Sequence, residues 1–198
     1  MAQEVQQGDA LLIVDVQNDF IPGGALPVPD GDEIVPVLNE WIAAAREANV
    51  PVYASRDWHP FNHVSFEDEG GPWPAHCVRE TPGAAFVADL DLEEDVTVLS
   101  KAEKPDKEAY SAFDGTGLAG RLETSGVKRL WVGGLALDYC VRASVLDAVK
   151  SGVETHLILP ATRAIEEETA KKAIGEMEAA GAVIERESRP YARAGAKS

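Results

Sequence analysis

Short apolar runs alternate along this chain with segments of helical period, and this alternation restricts the fold more than any other feature. Apolar residues between the runs recur every three or four positions, as on one face of a helix. Strands that alternate with helices form a parallel sheet covered on both faces. We therefore predict an α/β fold with six buried strands, at residues 10–14, 50–54, 96–99, 129–132, 155–159 and 182–184.

Four segments between or after these runs are predicted to be helices. Gly126 and Gly181 stand where two of them should end, a position that glycine often occupies. Residues 57–86 instead form a long stretch rich in Pro, Gly, Trp and His, and a loop of this length in a compact domain usually carries a site. The apolar stripes of the four helices are Ile34, Val37, Leu38, Trp41 and Ala45; Leu118 and Leu122; Val141, Val145 and Val149; and Ala170, Ile174 and Met177.

Length and charge limit the class of protein. A chain of 198 residues fits one domain, 1–198, and its formal charge of -16 should repel nucleic acid and anionic membranes. The sequence has no secretory signal and no apolar run of membrane-spanning length, so we expect a cytoplasmic protein with reduced thiols. The last residues, about 187–198, should form a flexible tail or a contact in a homo-oligomer.

Polar or reactive side chains follow four of the predicted strands. Asp15 ends the first, Asp57 follows the second, Lys101 the third and Cys140 the fourth. Ligands of open parallel sheets bind beyond the carboxyl ends of the strands, so these groups should converge. Each also has a plainer interpretation, because Asp15 could cap a turn, Lys101 could belong to a solvated basic cluster, and a cysteine is often only a small buried hydrophobe.

The position of Cys140 favours a reactive thiol over a purely structural one. It falls in the first turn of a predicted helix, where unpaired N–H groups and the helix dipole favour a thiolate. Asp15 could then act as the general base for this thiol. A cation at Lys101 would keep Asp15 ionised and stabilise negative charge during attack on a carbonyl.

Three of the four histidines lie in the irregular segment. Asp57, His59 and His63 occur within seven residues, and His76 follows. A carboxylate with two or three imidazoles suits zinc, manganese or iron, so we predict a metal site here. His156 is embedded in an apolar run and is interpreted as a strand residue.

Aromatic and small residues beside these groups could shape a pocket. Phe20 and Trp73 would make flat walls for a planar ring if both reach the crevice, although either could be plain core. Gly133 and Gly134 permit a tight path, after which the N–H groups of Ala136 and Cys140 could face an oxyanion.

Five motifs together resemble the nicotinamidase/pyrazinamidase group of the isochorismatase-like cysteine hydrolases. They run in that family's order and read DVQNDF, SRDWHPFNHVSF, WPAHCV, SKAEKPDKEAYSAF and GLALDYCVRAS. The resemblance implies a three-layer α/β/α fold with a central, mainly parallel, six-stranded doubly wound sheet. It also implies an Asp–Lys–Cys catalytic set, which falls on Asp15, Lys101 and Cys140, with Ala136 in the oxyanion hole.

The same resemblance implies the remaining site residues. One divalent metal ion, zinc or else iron or manganese, would be bound in the insertion at about 57–86. A cis peptide would join Leu135 to Ala136. The implied metal ligands are Asp57, His59 and His76, with His63 a ligand or close neighbour, and the implied substrate contacts are Phe20, Trp73, Tyr110 and Leu135.

The resemblance implies hydrolysis of nicotinamide to nicotinate and ammonia through a thioester, with pyrazinamide as a second substrate, in degradation and salvage of NAD. Two alternatives are a related amidohydrolase acting on a carbamoyl or ureido compound, and a non-catalytic protein that keeps the fold. Relatives usually carry glycine and threonine where this chain has Ala102 and Leu137. These departures bear on the path of the loop and on packing beside the nucleophile.

Overall fold

The computed structural model describes residues 5–190 and has a six-stranded parallel sheet at its centre. The strand order is β3-β2-β1-β4-β5-β6. The chain adds β2 and β3 on one side of β1 and then adds β4, β5 and β6 on the other, so the order of winding reverses between β1 and β4. Such a reversal opens a crevice at the carboxyl ends of the two strands. The strands are β1 (Asp9–Val14), β2 (Val52–Asp57), β3 (Thr97–Lys101), β4 (Arg129–Leu135), β5 (Glu154–Arg163) and β6 (Val183–Glu185).

Helices cover both faces of the sheet, which gives the predicted three layers. Alternate residues of β1 point to opposite faces, so Leu11 and Ile13 join one core while Leu12 and Val14 join the other. The first core contains the apolar stripe of α1, and the second contains those of α2, α3 and α4. The helices are α1 (Val35–Glu47), α2 (Leu118–Thr124), α3 (Arg142–Lys150) and α4 (Glu167–Ala180).

All six predicted strands and four predicted helices are present. The ends of the strands differ from the predicted ones by up to four residues, most of all at β5. β5 extends to Arg163, beyond the predicted apolar run, and its register with β4 shifts between Val132 and Gly134. The helix expected from Asp138 begins as a π-helical turn, Leu137–Val141, before α3. In that turn the Val141 N–H bonds to the Ala136 carbonyl five residues earlier, which widens the backbone around Cys140.

The segment 57–86 contains only two short 3-10 turns, Glu67–Glu69 and Pro82–Ala84. The predicted tail at 187–198 is described only as far as residue 190. Within it, the Ser188 carbonyl accepts a hydrogen bond from Trp41 Nε1 on α1. Within residues 5–190 the helices are too short or too polar to cross a bilayer.

Candidate active site

The structure brings Asp15, Lys101 and Cys140 together at the carboxyl end of the sheet. Lys101 ends β3, Asp15 follows β1, and Cys140 lies in the π-helical turn after β4. Lys101 Nζ lies 2.9 Å from Asp15 Oδ2 and 3.6 Å from Cys140 Sγ. All three residues are buried. The ends of β1, β3 and β4 therefore converge, as the alternating pattern predicts.

Lys101 contacts two carboxylates rather than one. Its Nζ also donates hydrogen bonds to Asp57 Oδ1 and to the Ala109 carbonyl. Burial alone would lower the pKa of the Lys101 ammonium, but the charges of Asp15 and Asp57 outweigh it and raise that pKa well above its usual value. For the Asp57 carboxyl, burial alone would raise the pKa, but the positive charge of Lys101 and the contact with His59 hold that pKa well below its ordinary range.

Asp15 and Cys140 are placed for proton transfer. Ser55 Oγ donates a hydrogen bond of 2.7 Å to Asp15 Oδ1, and an Asp15 oxygen and Cys140 Sγ lie within 4.8 Å of each other. Burial raises the pKa of the Asp15 carboxyl, with Lys101 opposing the rise. Burial also raises the pKa of the Cys140 thiol well above its usual value. A thiol with a raised pKa needs an adjacent base before it can act as a nucleophile, and the Asp15 carboxylate lies within reach of Cys140.

A buried donor set adjoins this trio. One oxygen of Asp57 and one ring nitrogen each of His59 and His76 lie within 4.8 Å of one another. Among the described residues, neither ring nitrogen of His59 makes a hydrogen bond although both are buried, and Nε2 lies 3.5 Å from Asp57 Oδ2. His76 Nδ1–H donates to the Pro74 carbonyl at 2.7 Å, which leaves the Nε2 lone pair for a ligand. Buried unpaired imidazole nitrogens are uncommon, so the set fits a divalent metal ion.

His63 lies beside this donor set but does not belong to it. Its ring centroid is 4.1 Å from that of His59. However, His63 Nδ1 lies 2.7 Å from Ser65 Oγ and Nε2 lies 3.1 Å from the Lys107 carbonyl. Since both ring nitrogens are engaged elsewhere, the structure favours the second of the two expectations for His63, a close neighbour of the ligands.

A crevice of about 380 Å³, its open mouth included, extends from Cys140. Both expected aromatic walls line it. The Phe20 ring lies 5.6 Å from the His76 ring, and Trp73 Nε1 donates to the Tyr110 hydroxyl. The full lining is Phe20, Leu26, Val28, Asp57, Trp73, His76, Tyr110, Ala136, Tyr139, Cys140 and Ile165.

Leu135 departs from its expected place, because its side chain is fully buried in the core and does not line the crevice. The peptide bond between Leu135 and Ala136 is cis, as the resemblance implies. Ala102 has a φ of 53°, a left-handed conformation that favours glycine, so the loop follows a glycine-like path despite the substitution. Leu137 is buried beside Cys140 in the second core.

Four lining residues were missed from the sequence. Two of them could have been found from their positions. Tyr139 directly precedes Cys140, and Ile165 follows the end of β5, where ligands of parallel sheets bind. Leu26 and Val28 lie in an irregular segment without a period. Their place depends on long-range packing, which a single sequence does not display.

Comparisons with known proteins agree with this fold. A nicotinamidase from Escherichia coli (strain K12) is 38% identical over 198 residues, covering 88% of this chain and 93% of that protein. The pyrazinamidase of Pyrococcus horikoshii in complex with zinc is 52% identical with a TM-score of 0.88, covering 91% of this chain and 99% of that one.

A third relative, from L. infantum in complex with nicotinate, is 35% identical with a TM-score of 0.85, covering 92% of this chain and 94% of the other. The family model described as the isochorismatase domain matches residues 9–188, nearly the whole of the chain that the structure describes. The chain belongs to the isochorismatase family.

Proposed function

We propose that this chain is a nicotinamidase that also hydrolyses pyrazinamide. The observation that carries the proposal is the contact of Lys101 with Asp15 and Cys140 at the base of a crevice that has aromatic walls and a buried donor set. A planar carboxamide fits between Phe20 and Trp73 with its carbonyl toward the thiol. The named relatives are a nicotinamidase, a pyrazinamidase and a protein in complex with nicotinate, the carboxylate that hydrolysis of nicotinamide yields, which supports this substrate class.

The trio performs acyl transfer in two stages. Asp15 takes the proton of the Cys140 thiol, and the sulfur attacks the amide carbon to form a tetrahedral adduct. The backbone N–H groups of Ala136 and Cys140 stabilise its oxyanion, while Lys101 offsets the negative charge nearby. Asp15 then gives the proton to the departing nitrogen, and ammonia leaves a thioester behind. Water, deprotonated by Asp15, cleaves the thioester and restores the thiol.

We assign Asp57, His59 and His76 as the residues that would hold one divalent metal ion, and we propose zinc, as in the structure of the Pyrococcus relative. When bound, the ion would supply a Lewis acid for the substrate's ring nitrogen, directly or through a water molecule. Phe20 and Trp73 orient the ring between this donor set and Cys140. Orientation of this kind places the carboxamide for attack.

We further propose that residues 1–198 form one catalytic domain whose insertion at 57–86 supplies the histidine ligands. Both cores pack on one sheet, which supports a single unit. Cys77 and Cys140 are both free, and a catalytic thiol persists best in a reducing compartment. We therefore place the activity in the cytoplasm.

A matched pair of amides tests the function. Nicotinamide and benzamide share a planar ring and a carboxamide, but only nicotinamide has a ring nitrogen. We expect release of ammonia and nicotinate from nicotinamide, release from pyrazinamide as well, and turnover of benzamide slower by about two orders of magnitude or more.

Equal turnover of benzamide would show that the ring nitrogen is not recognised. Hydrolysis of a ureido compound without hydrolysis of nicotinamide would instead support the carbamoyl alternative. Both assays are read by the same measurement of ammonia.

A further inference from the structure

The segment that follows β1, residues 15–19, contacts both halves of the site through alternate side chains. Asp15 faces Lys101, whereas Gln17 and Asp19 reach the backbone at or beside two proposed metal ligands. We infer that Gln17 and Asp19 are positioning residues for the donor set, acting through the backbone of Asp57 and of the residue after His76. This inference rests on the proposed metal site.

Gln17 holds both backbone polar groups of Asp57. Its Oε1 accepts the Asp57 N–H at 2.8 Å, and its Nε2 donates to the Asp57 carbonyl at 2.8 Å. The same Nε2 donates to the Ala84 carbonyl at 2.9 Å. Gln17 is fully buried, so each of these bonds lies away from solvent. The amide thus fixes the direction in which the Asp57 carboxylate leaves the end of β2, toward Lys101 and His59.

Asp19 does the same beside His76. Its Oδ2 accepts the Cys77 N–H at 2.7 Å, and its Oδ1 accepts the Ala25 N–H at 3.2 Å. Cys77 has a φ of 46°, a conformation that a non-glycine residue adopts only when its surroundings stabilise it. A Cβ atom at Gly83 would lie 2.2 Å from Asp19 Oδ2, so the missing side chain leaves room for the carboxylate.

Asn18 offers a matched control within the same segment. Its Nδ2 donates to the Pro82 carbonyl at 2.8 Å, so it contacts the same insertion without touching a proposed ligand or its chain neighbour. Removing this bond should loosen the insertion locally and leave the donor set in place. A general weakening of the segment would therefore appear in all three variants, whereas loss of positioning would appear in two.

The test is metal affinity of the folded proteins, measured without substrate. Metal-free wild type, Gln17→Met, Asp19→Asn and Asn18→Ala are titrated with zinc against a chelating indicator, and with cobalt to record the absorption spectrum of the bound ion. We expect zinc affinity to fall about 10- to 100-fold in the first two variants, with an altered cobalt spectrum, and to stay near the wild-type value in Asn18→Ala.

A fourth variant, Gly83→Ala, acts on Asp19 from outside and should weaken zinc binding in the same way. Where Gln17→Met does not fold, Asp19→Asn and Gly83→Ala carry the test. Unchanged affinity in the folded variants, or an equal loss in Asn18→Ala, would overturn the inference. A wild-type protein that binds neither metal would overturn the metal site itself, and the inference with it.

Discussion

At the scale of single residues, Lys101 is the group on which the site depends. Its ammonium is fully buried between the carboxylates of Asp15 and Asp57 and also contacts Cys140. In the sequence, its position directly after an apolar run favours Lys101 over Lys104 and Lys107 as the lysine of the site. Lys107, by contrast, pairs with Asp114 at an exposed surface. A buried cation with two anionic partners leaves them uncompensated when it is removed.

Lys101→Met should therefore lose stability and activity together. We expect the free energy of unfolding in urea to fall by about 3–5 kcal/mol, because two carboxylates stay buried without their cation. Lys104→Met, at an exposed position in the same motif, should change it by less than about 0.5 kcal/mol. A Lys101→Met protein with wild-type stability and turnover would contradict the assigned role.

At the scale of elements, the approach of β4 to β1 sets the position of the nucleophile. Gly134 has a φ of 128°, and a Cβ atom there would lie 2.1 Å from the Val14 carbonyl oxygen. The paired glycines predict a tight path from sequence. The π-helical turn was not predictable, because the stripe of Val141, Val145 and Val149 has the same spacing whether the preceding turn is α or π. Two backbone hydrogen bonds that span five residues, from Val141 to Ala136 and from Arg142 to Leu137, make the difference.

Gly134→Ala should destabilise the protein and slow turnover. The added methyl group would push β4 away from β1, which should lower the free energy of unfolding in urea by at least about 1–3 kcal/mol. Turnover should fall because Asp15 directly follows Val14 and would move with it. Gly175→Ala is the control. Within residues 5–190, no atom outside its own helix lies within 4 Å of a Cβ placed there, and alanine favours a helix over glycine by about 0.5–1 kcal/mol. A Gly134→Ala protein as stable as Gly175→Ala would refute the close approach.

At the scale of the whole molecule, four neighbouring strands deliver the chemistry. Lys101, Asp57 and Asp15 end or follow β3, β2 and β1, and Cys140 follows β4. The alternation of strands and helices was enough to predict this meeting. The state of His63 was not predictable, because the carbonyl that occupies its Nε2 belongs to Lys107, 44 residues away.

Ammonia release from nicotinamide by Cys140→Ala is the most direct measurement. Removal of the sulfur leaves Asp15, Lys101 and the donor set in place, so binding should persist. We predict that folded wild-type protein releases ammonia and nicotinate in equal amounts, and that the variant releases neither above the uncatalysed rate. Wild-type turnover by the variant would show that the sulfur does not attack the amide.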